Sequence, residues 1–250
     1  MRLSVGTSGY SYKEWLGRFY PEKLPATQML AFYAQHFGTV EINNTFYRMP
    51  PEPMLTQWLE QVPETFTFTL KAPKRITHVN RLRESESSVT EFLRRSALLG
   101  SRLGAILFQL PPFLKKDVPR LRDFLARLPQ GQRFAFEFRS DTWHDDEVFA
   151  LLQAHDASLC VTDTDVGETP FVSTSACGYV RLRRTHYDAD ELRAWAARIA
   201  ERALPHTYVY FMHEDEALGT RFAKQLTEAW TVLEDGRHQI AALPTGASTV

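Results

Sequence analysis

Five short stretches of this chain alternate apolar side chains with polar ones, and the polar ones are types that carry acid/base and anion chemistry. In Thr39-Val40-Glu41-Ile42-Asn43-Asn44, Val40 and Ile42 share one face and leave Glu41 and Asn43 on the other. Phe66, Phe68 and Leu70 set Thr67, Thr69 and Lys71 apart, and Ile106, Phe108 and Leu110 set Gln109 apart. Phe134, Phe136 and Phe138 alternate with Ala135, Glu137 and Arg139, and Val180 and Leu182 alternate with Arg181 and Arg183. A period of two is the mark of a strand, with one face turned to each side. Asp163, at the end of Leu159-Cys160-Val161-Thr162, is counted with this set. Paired carboxylates in unlike surroundings supply a general acid and a general base. Arginines clamp phosphate or carboxylate groups, and a desolvated lysine is a nucleophile.

Glu41, Glu137, Lys71 and Asp163 are therefore the candidate catalytic groups, and Asn43, Gln109, Arg139, Arg181 and Arg183 the candidate substrate contacts. Tyr10 and Trp143 join the contacts as rings able to stack on a base or sugar, although such aromatics also serve to pack loops. Four cations (Lys71, Arg139, Arg181 and Arg183) face three carboxylates, and a small anionic ligand would balance the surplus. A phosphorylated or carboxylated sugar or nucleotide has that chemistry. The competing reading is a closed ion-pair network without a ligand, in which Lys71 is simply an ion-pair partner. Because apolar replacement of such a network is often neutral or stabilising, seven charged side chains are a poor way merely to fill a core.

The elements that must position these residues recur at a regular interval. Strand-like segments begin near Leu3, Thr39, Phe66, Ala105, Phe134, Ser158, Gly178 and Thr207. Between them lie helical stripes: Met54, Leu55, Trp58, Leu59 and Val62; Val118, Leu121, Phe124, Leu125 and Leu128; Leu192, Trp195, Ala196 and Ile199; and Phe222, Leu226, Ala229, Trp230 and Leu233. Pro25-Ala26-Thr27 and Pro51-Glu52-Pro53 are suited to start helices. Asp163 to Cys177, with Gly167 and Pro170, shows no helical period, so one β/α unit between the sixth and seventh strands is expected to be degenerate. Eight strands alternating with about seven helices predict an α/β protein with a (β/α)8 TIM-like barrel, a doubly wound open sheet being the alternative. One barrel domain is expected over residues 1–234, followed by a C-terminal tail over 235–250. The candidate residues fall late in their strands, at the end where such barrels carry chemistry.

Other classes leave weaker traces. The net charge is −1, from 29 Lys+Arg against 30 Asp+Glu, which lacks the overall basic footprint of a dedicated nucleic-acid binder. Lys71, Lys74, Arg75, Arg81 and Arg83 nevertheless cluster around the third strand, with His78 and Asn80 between them, and keep non-catalytic nucleic-acid or nucleotide binding as a second reading. A metal-dependent barrel hydrolase would draw on Glu41, Glu137, Asp163, His78 and His213, but no two have ligand spacing, and no metal or cofactor is expected. Walker, dinucleotide-binding and Gly-x-Ser-x-Gly motifs are missing from the sequence. Gly6-Thr7-Ser8-Gly9 reads as a tight turn whose Ser8 hydroxyl is a potential donor to an anion. Cys160 and Cys177 sit in apolar runs and are expected as buried thiols. With no apolar stretch near membrane-spanning length and no leader-like opening, a soluble, cytoplasmic protein is expected.

Several blocks resemble one family in order along the chain. Gly6-Thr7-Ser8-Gly9-Tyr10-Ser11-Tyr12 with Trp15 and Phe19-Tyr20-Pro21 is similar to the opening motif of the YecE-like proteins, domain-of-unknown-function family 72. Val40 to Pro50, Lys71 to His78, Phe108 to Pro112, Glu137-Phe138-Arg139 with Thr142-Trp143, Tyr179 to Arg183, and Tyr210-Phe211 resemble the blocks that follow. The resemblance spans about Leu3 to Trp230 and implies a TIM-like barrel but no reaction. Many members carry His-Gly where this chain has Arg183-Arg184, and Asn where it has Met212 to Asp215. A shared histidine base is thereby put in question, and the strand-end pocket becomes more basic.

Overall fold

Alternation of β-branched and aromatic residues with polar ones produces eight parallel strands, each starting within two residues of its expected position. The structure, a computed structural model, describes all residues except 85, 213–214 and 242–250. The strands are β1 (Arg2–Thr7), β2 (Thr39–Ile42), β3 (Thr67–Lys71), β4 (Leu103–Leu110), β5 (Phe134–Phe138), β6 (Ala157–Thr164), β8 (Cys177–Leu182) and β9 (His206–Phe211). The extra two-residue β7 (Gly167–Glu168) turns back antiparallel on β6. Hydrogen-bonded order runs β1-β9-β8-β6-β5-β4-β3-β2, so each barrel strand lies beside its neighbour in sequence. This is the (β/α)8 TIM-like barrel that the spacing predicts, closed except for a seam between β1 and β2.

At that seam the pairing shrinks to one bridge, Ser8 with Glu41, and one backbone bond from Gly9 N to Glu41 O at 2.7 Å. The Tyr33 hydroxyl spans the rest. It accepts from Thr7 N at 2.9 Å and donates to Thr39 O at 3.1 Å, tying the two strands through a helix side chain. Gly6 is required here, because a Cβ at that position would stand 2.2 Å from Thr39 O.

The outer layer follows the helical stripes. Its helices are α1 (Met29–Tyr33), α2 (Asn44–Tyr47), α3 (Glu52–Gln61), α4 (Glu86–Ser96), α5 (Val118–Leu125), α6 (Asp146–Ala154), α7 (Ala189–Glu201) and α8 (Leu218–Ala241). Pro51 caps α3, and Asp188 with Glu191 forms a reciprocal capping box at α7. Outward strand residues such as Phe68, Phe108, Phe136, Val180 and Phe211 pack with Leu55, Trp58, Phe124, Leu192 and Phe222 of these helices in one large core. A second, smaller cluster fills the barrel itself: Ala105, Leu107, Ala135, Cys160, Cys177, Tyr179, Tyr208 and Tyr210. Both cysteines are buried free thiols within it.

Residues 165–176 hold β7 and no helix, so the degenerate unit lies where the sequence places it. Thr174 Oγ1 secures this segment by accepting from Leu159 N and donating to Ala157 O, both at 2.7 Å. α8 continues to Ala241, through residues 235–241 of the stretch expected as a tail, and 242–250 lie outside the described residues. Among the described residues, no helix is long and apolar enough to cross a membrane.

Candidate functional site

Moving two residues along each inward-facing row carries the barrel interior from apolar and hydroxyl side chains to charge. Tyr179 leads to Arg181, Thr39 to Glu41, Thr69 to Lys71, Leu107 to Gln109 and Ala135 to Glu137. Below the charges, the Tyr210 hydroxyl meets Thr39 Oγ1 at 2.8 Å and Thr69 Oγ1 at 2.7 Å, which closes the interior with satisfied hydroxyls.

Arg181 is the centre of the charged layer, with only 1% of its surface exposed. One amino group donates to Glu137 Oε2 at 2.5 Å and the other to Glu41 Oε1 at 2.8 Å, so a single guanidinium bridges both buried carboxylates. Glu41 also accepts from the hydroxyls of Ser8 and Tyr179, the latter at 2.6 Å. Glu137 Oε1 accepts from Gln109 Nε2 at 2.8 Å and from Arg139 Nε at 3.1 Å. Burial opposes ionisation of Glu137, yet Arg181, Arg139, Gln109 and Arg183 together outweigh it and hold this carboxyl at about 2. Burial likewise works against the charge on Arg181, but Glu41 and Glu137 more than compensate and raise its pKa.

Around this triad stand cations without a carboxylate of their own. Arg139, with 36% of its side chain exposed, leans on Glu137 Oε1; Arg183 approaches the same oxygen only to 3.8 Å. Burial, and then repulsion from Arg181, lowers the Arg183 pKa. The Lys71 amine makes no hydrogen bond or ion pair among the described residues, and its Nζ rests 4.4 Å from the centre of the Phe46 ring. Burial and then Arg181 bring its pKa down to about 8, against the opposing pull of Glu41 and Glu137. His78 packs edge-on against the same ring at 4.9 Å; burial and then Lys71 lower its pKa as well. Asn43 completes the rim by donating to Ser8 Oγ at 3.1 Å.

Three expected members do not touch the Arg181 cluster. Asp163 pairs in register with the outward Leu182, shares its row with Leu159 and Val161, and faces the helix layer. There it accepts from Arg184 Nε through both oxygens (2.9 and 2.8 Å) and from Trp195 Nε1 at 3.1 Å. Trp143 is fully buried, stacks on Phe138 at 4.9 Å and donates to Leu114 O at 2.7 Å, so it packs a loop and reaches no ligand space. Tyr10 is half-buried beside Tyr33 and Trp58, off the Arg181 cluster, where it helps line a cleft between α1 and α3 and a smaller cavity shared with Asn43 and Asn44 of the rim. Of the metal candidates, Glu41 and Glu137 are occupied by Arg181, and His213 lies outside the described residues. Among the described residues no three His, Cys, Asp or Glu side chains converge to hold a metal ion.

Sequence reasoning treats Ser8 chiefly as a turn residue, counts Phe46 only among the loop aromatics that follow the strands, and passes over Tyr179 as part of the site. The alternation of Cys177, Tyr179 and Arg181 already places Tyr179 inside. The Phe46 contact with Lys71 depends on the turn of α2 and leaves no local signal. A cavity of about 610 Å³ opens at the opposite end, among the strand starts Phe134, Ala157, Cys177 and His206, away from all of these charges.

Comparison with known proteins agrees with this architecture. A DUF72 family protein from Thermotoga maritima superposes with a TM-score of 0.80 at 28% identity, covering 94% of this chain and all of the other. A DUF72 family protein from Enterococcus faecalis superposes with a TM-score of 0.75 at 19% identity, over 92% and 95% of the two chains, and supports the fold alone. In sequence, the chain is 35% identical over 138 residues to the UPF0759 protein YecE of Escherichia coli K12, covering 55% of this chain and 48% of that protein. It is 30% identical over 153 residues to the UPF0759 protein YunF of Bacillus subtilis, covering 56% and 52%. These matches span about half the length of each curated relative. The family pattern described as "Protein of unknown function DUF72" matches residues 4–246, and the chain belongs to that family.

Proposed function

We propose that the mouth of the barrel binds and turns over a small anionic substrate, a phosphorylated or carboxylated sugar or nucleotide, by acid/base chemistry. One observation carries this reading: Arg139 and Arg183 both lean on a Glu137 oxygen that Gln109 already engages, and Lys71 has no counter-charge in contact among the described residues. With Asp163 neutralising Arg184 on the outer layer, four cations remain against two carboxylates among the described residues. An anion entering between Arg139 and Arg183 would recover the interactions that these side chains lack. The carboxylates serve a different purpose from the one expected of them. Glu137, held at about 2 and saturated with donors, is a poor base at neutral pH, and Glu41 is equally occupied. Both position Arg181. Lys71, at about 8, is the group suited to exchange a proton near neutrality.

Thermal unfolding with increasing inorganic phosphate tests the anion site. Phosphate at millimolar concentration is expected to raise the melting temperature of the native chain, and an Arg139→Met/Arg183→Met double variant is expected to lose that response. A flat response in the native chain overturns the reading. Turnover is followed by proton NMR in D2O with a panel of sugar phosphates, where exchange of a carbon-bound proton should depend on Lys71.

A second reading, nucleic-acid or nucleotide binding, is favoured by one surface feature. Tyr47 and Phe113 are exposed, at 71% and 59%, with Lys74 and Arg81 placed over their rings at 5.9 and 5.3 Å. Stacking platforms beside cations suit single strands, whereas the net charge of −1 weighs against the reading. Fluorescence anisotropy of a labelled oligonucleotide at low and high salt separates the two. Salt-sensitive binding that a Tyr47→Ala change weakens would favour the second.

A further inference from the structure

The backbone of Lys71 is fixed at the end of β3. Its carbonyl accepts from Thr45 Oγ1 at 2.6 Å, its backbone pairs in register with Leu107, and the next amide, Ala72 N, donates to Leu107 O at 2.8 Å. The amine projects into the charged layer, over Phe46, in ion-pair contact with no carboxylate among the described residues, and feels the cations Arg181 and Arg139 as well as the carboxylates Glu41 and Glu137. An amine so placed has little to gain as an ion-pair partner. Its lone pair is its chemical asset.

We propose that Lys71 forms an imine with a small aldehyde or ketone that carries a phosphate or carboxylate group. This rests on the anion reading above for the substrate's charged end and adds a covalent step at its carbonyl. The neutral amine attacks the carbonyl carbon while the C=O π electrons move to oxygen, which takes up a proton. The nitrogen gives up a proton, the resulting hydroxyl is protonated and leaves as water, and a C=N bond remains. No oxidant or reductant is consumed. Arg139 and Arg183 at the rim hold the anionic group, while Glu41 and Glu137 below favour the cationic form of the imine. His78, packed on the same Phe46 ring and neutral near pH 7, is available to move the protons that addition and dehydration require. About a tenth of Lys71 is unprotonated at pH 7, against under a thousandth of an ordinary lysine.

The experiment is reductive trapping of the full chain with glycolaldehyde phosphate or glycolaldehyde and cyanoborohydride, mapped by peptide mass spectrometry. The expected result is an adduct concentrated on Lys71, formed at least about tenfold faster with the phosphorylated aldehyde and suppressed by inorganic phosphate. Its rate should rise with a midpoint near pH 8, while surface lysines follow a midpoint near 10.5. A folded Lys71→Met variant should lose only that adduct. Equal labelling of Lys71 by both aldehydes supports the imine and overturns the anion reading. Phosphate stabilisation without an adduct at Lys71, or labelling spread over the lysines by exposure, overturns the imine.

Discussion

Ser8 and Glu41 meet at the seam where the barrel closes. Their backbones form the bridge between β1 and β2, and the Ser8 hydroxyl donates to Glu41 Oε1. One residue pair therefore serves closure and charge placement at once. The Ser8 hydroxyl also accepts from Asn43 Nδ2 at 3.1 Å and from Arg181 at 3.2 Å, so its removal leaves two donors and a buried carboxylate short of a partner. Ser8→Ala is expected to cost about 2–3 kcal/mol in urea unfolding with an unchanged m-value. A loss below about 0.5 kcal/mol would show that the hydroxyl contributes nothing to the seam.

Removing Arg181 should be more damaging. Arg181→Met leaves Glu41 and Glu137 buried and without their shared cation, and a broken buried pair of this kind costs about 3–5 kcal/mol. Adding Glu41→Gln and Glu137→Gln to that variant is expected to restore part of the loss, because no uncompensated charge then remains. The comparison is made by urea titration of the single, double and triple variants. Failure of the added glutamines to recover any stability would count against charge burial as the cause.

The acid limb of stability follows from Glu137. Its folded pKa of about 2 lies below the ordinary 4.5, so between those values the unfolded chain binds more protons than the folded one. Stability from this group is complete above about pH 4.5 and is lost as pH falls toward 2. The contribution is on the order of 3 kcal/mol. A Glu137→Gln variant should be less stable at pH 7, with the gap narrowing through that window. Unfolding free energies measured from pH 7 to pH 2 provide the check.

Much of this site was legible from alternation alone. Phe134, Phe136 and Phe138 can all face the helices only if Glu137 faces inward, and the same parity places Glu41, Lys71, Gln109 and Arg181. Asp163 shares parity with Leu159 and Val161, yet it stands at a strand end, and the sequence leaves its facing open. It can lie on the outer row because Arg184 and Trp195 supply its partners there. Trp143 reads as an exposed loop aromatic because neither the Phe138 stack nor the Leu114 carbonyl is encoded nearby in sequence. The role of Tyr33 is equally remote, since it depends on two strands that a helix brings together. Composition names the cations at the mouth; only geometry shows which of them lacks an ion-pair partner among the described residues.

Lys71 supplies the sharpest test of whether the mouth is arranged for chemistry or for stability. Its pKa falls from 10.5 to about 8 on folding, so holding it protonated at pH 7 costs the folded state roughly 3 kcal/mol. Between pH 8 and 10.5 the unfolded chain binds the additional proton, so this penalty is relieved as pH rises through that window. Lys71→Met removes the charge, keeps an unbranched side chain over Phe46 and should stabilise the protein at pH 7 by about 1–3 kcal/mol. The advantage should shrink toward zero above about pH 10.5. Thermal unfolding of both proteins from pH 6 to pH 10.5 measures it, with a difference of several degrees expected at neutral pH. A destabilised Lys71→Met at pH 7 would mean that the ammonium belongs to the network as a structural member. A stabilised one would mean that the native chain retains, at a cost in stability, a cation that the fold itself does not need.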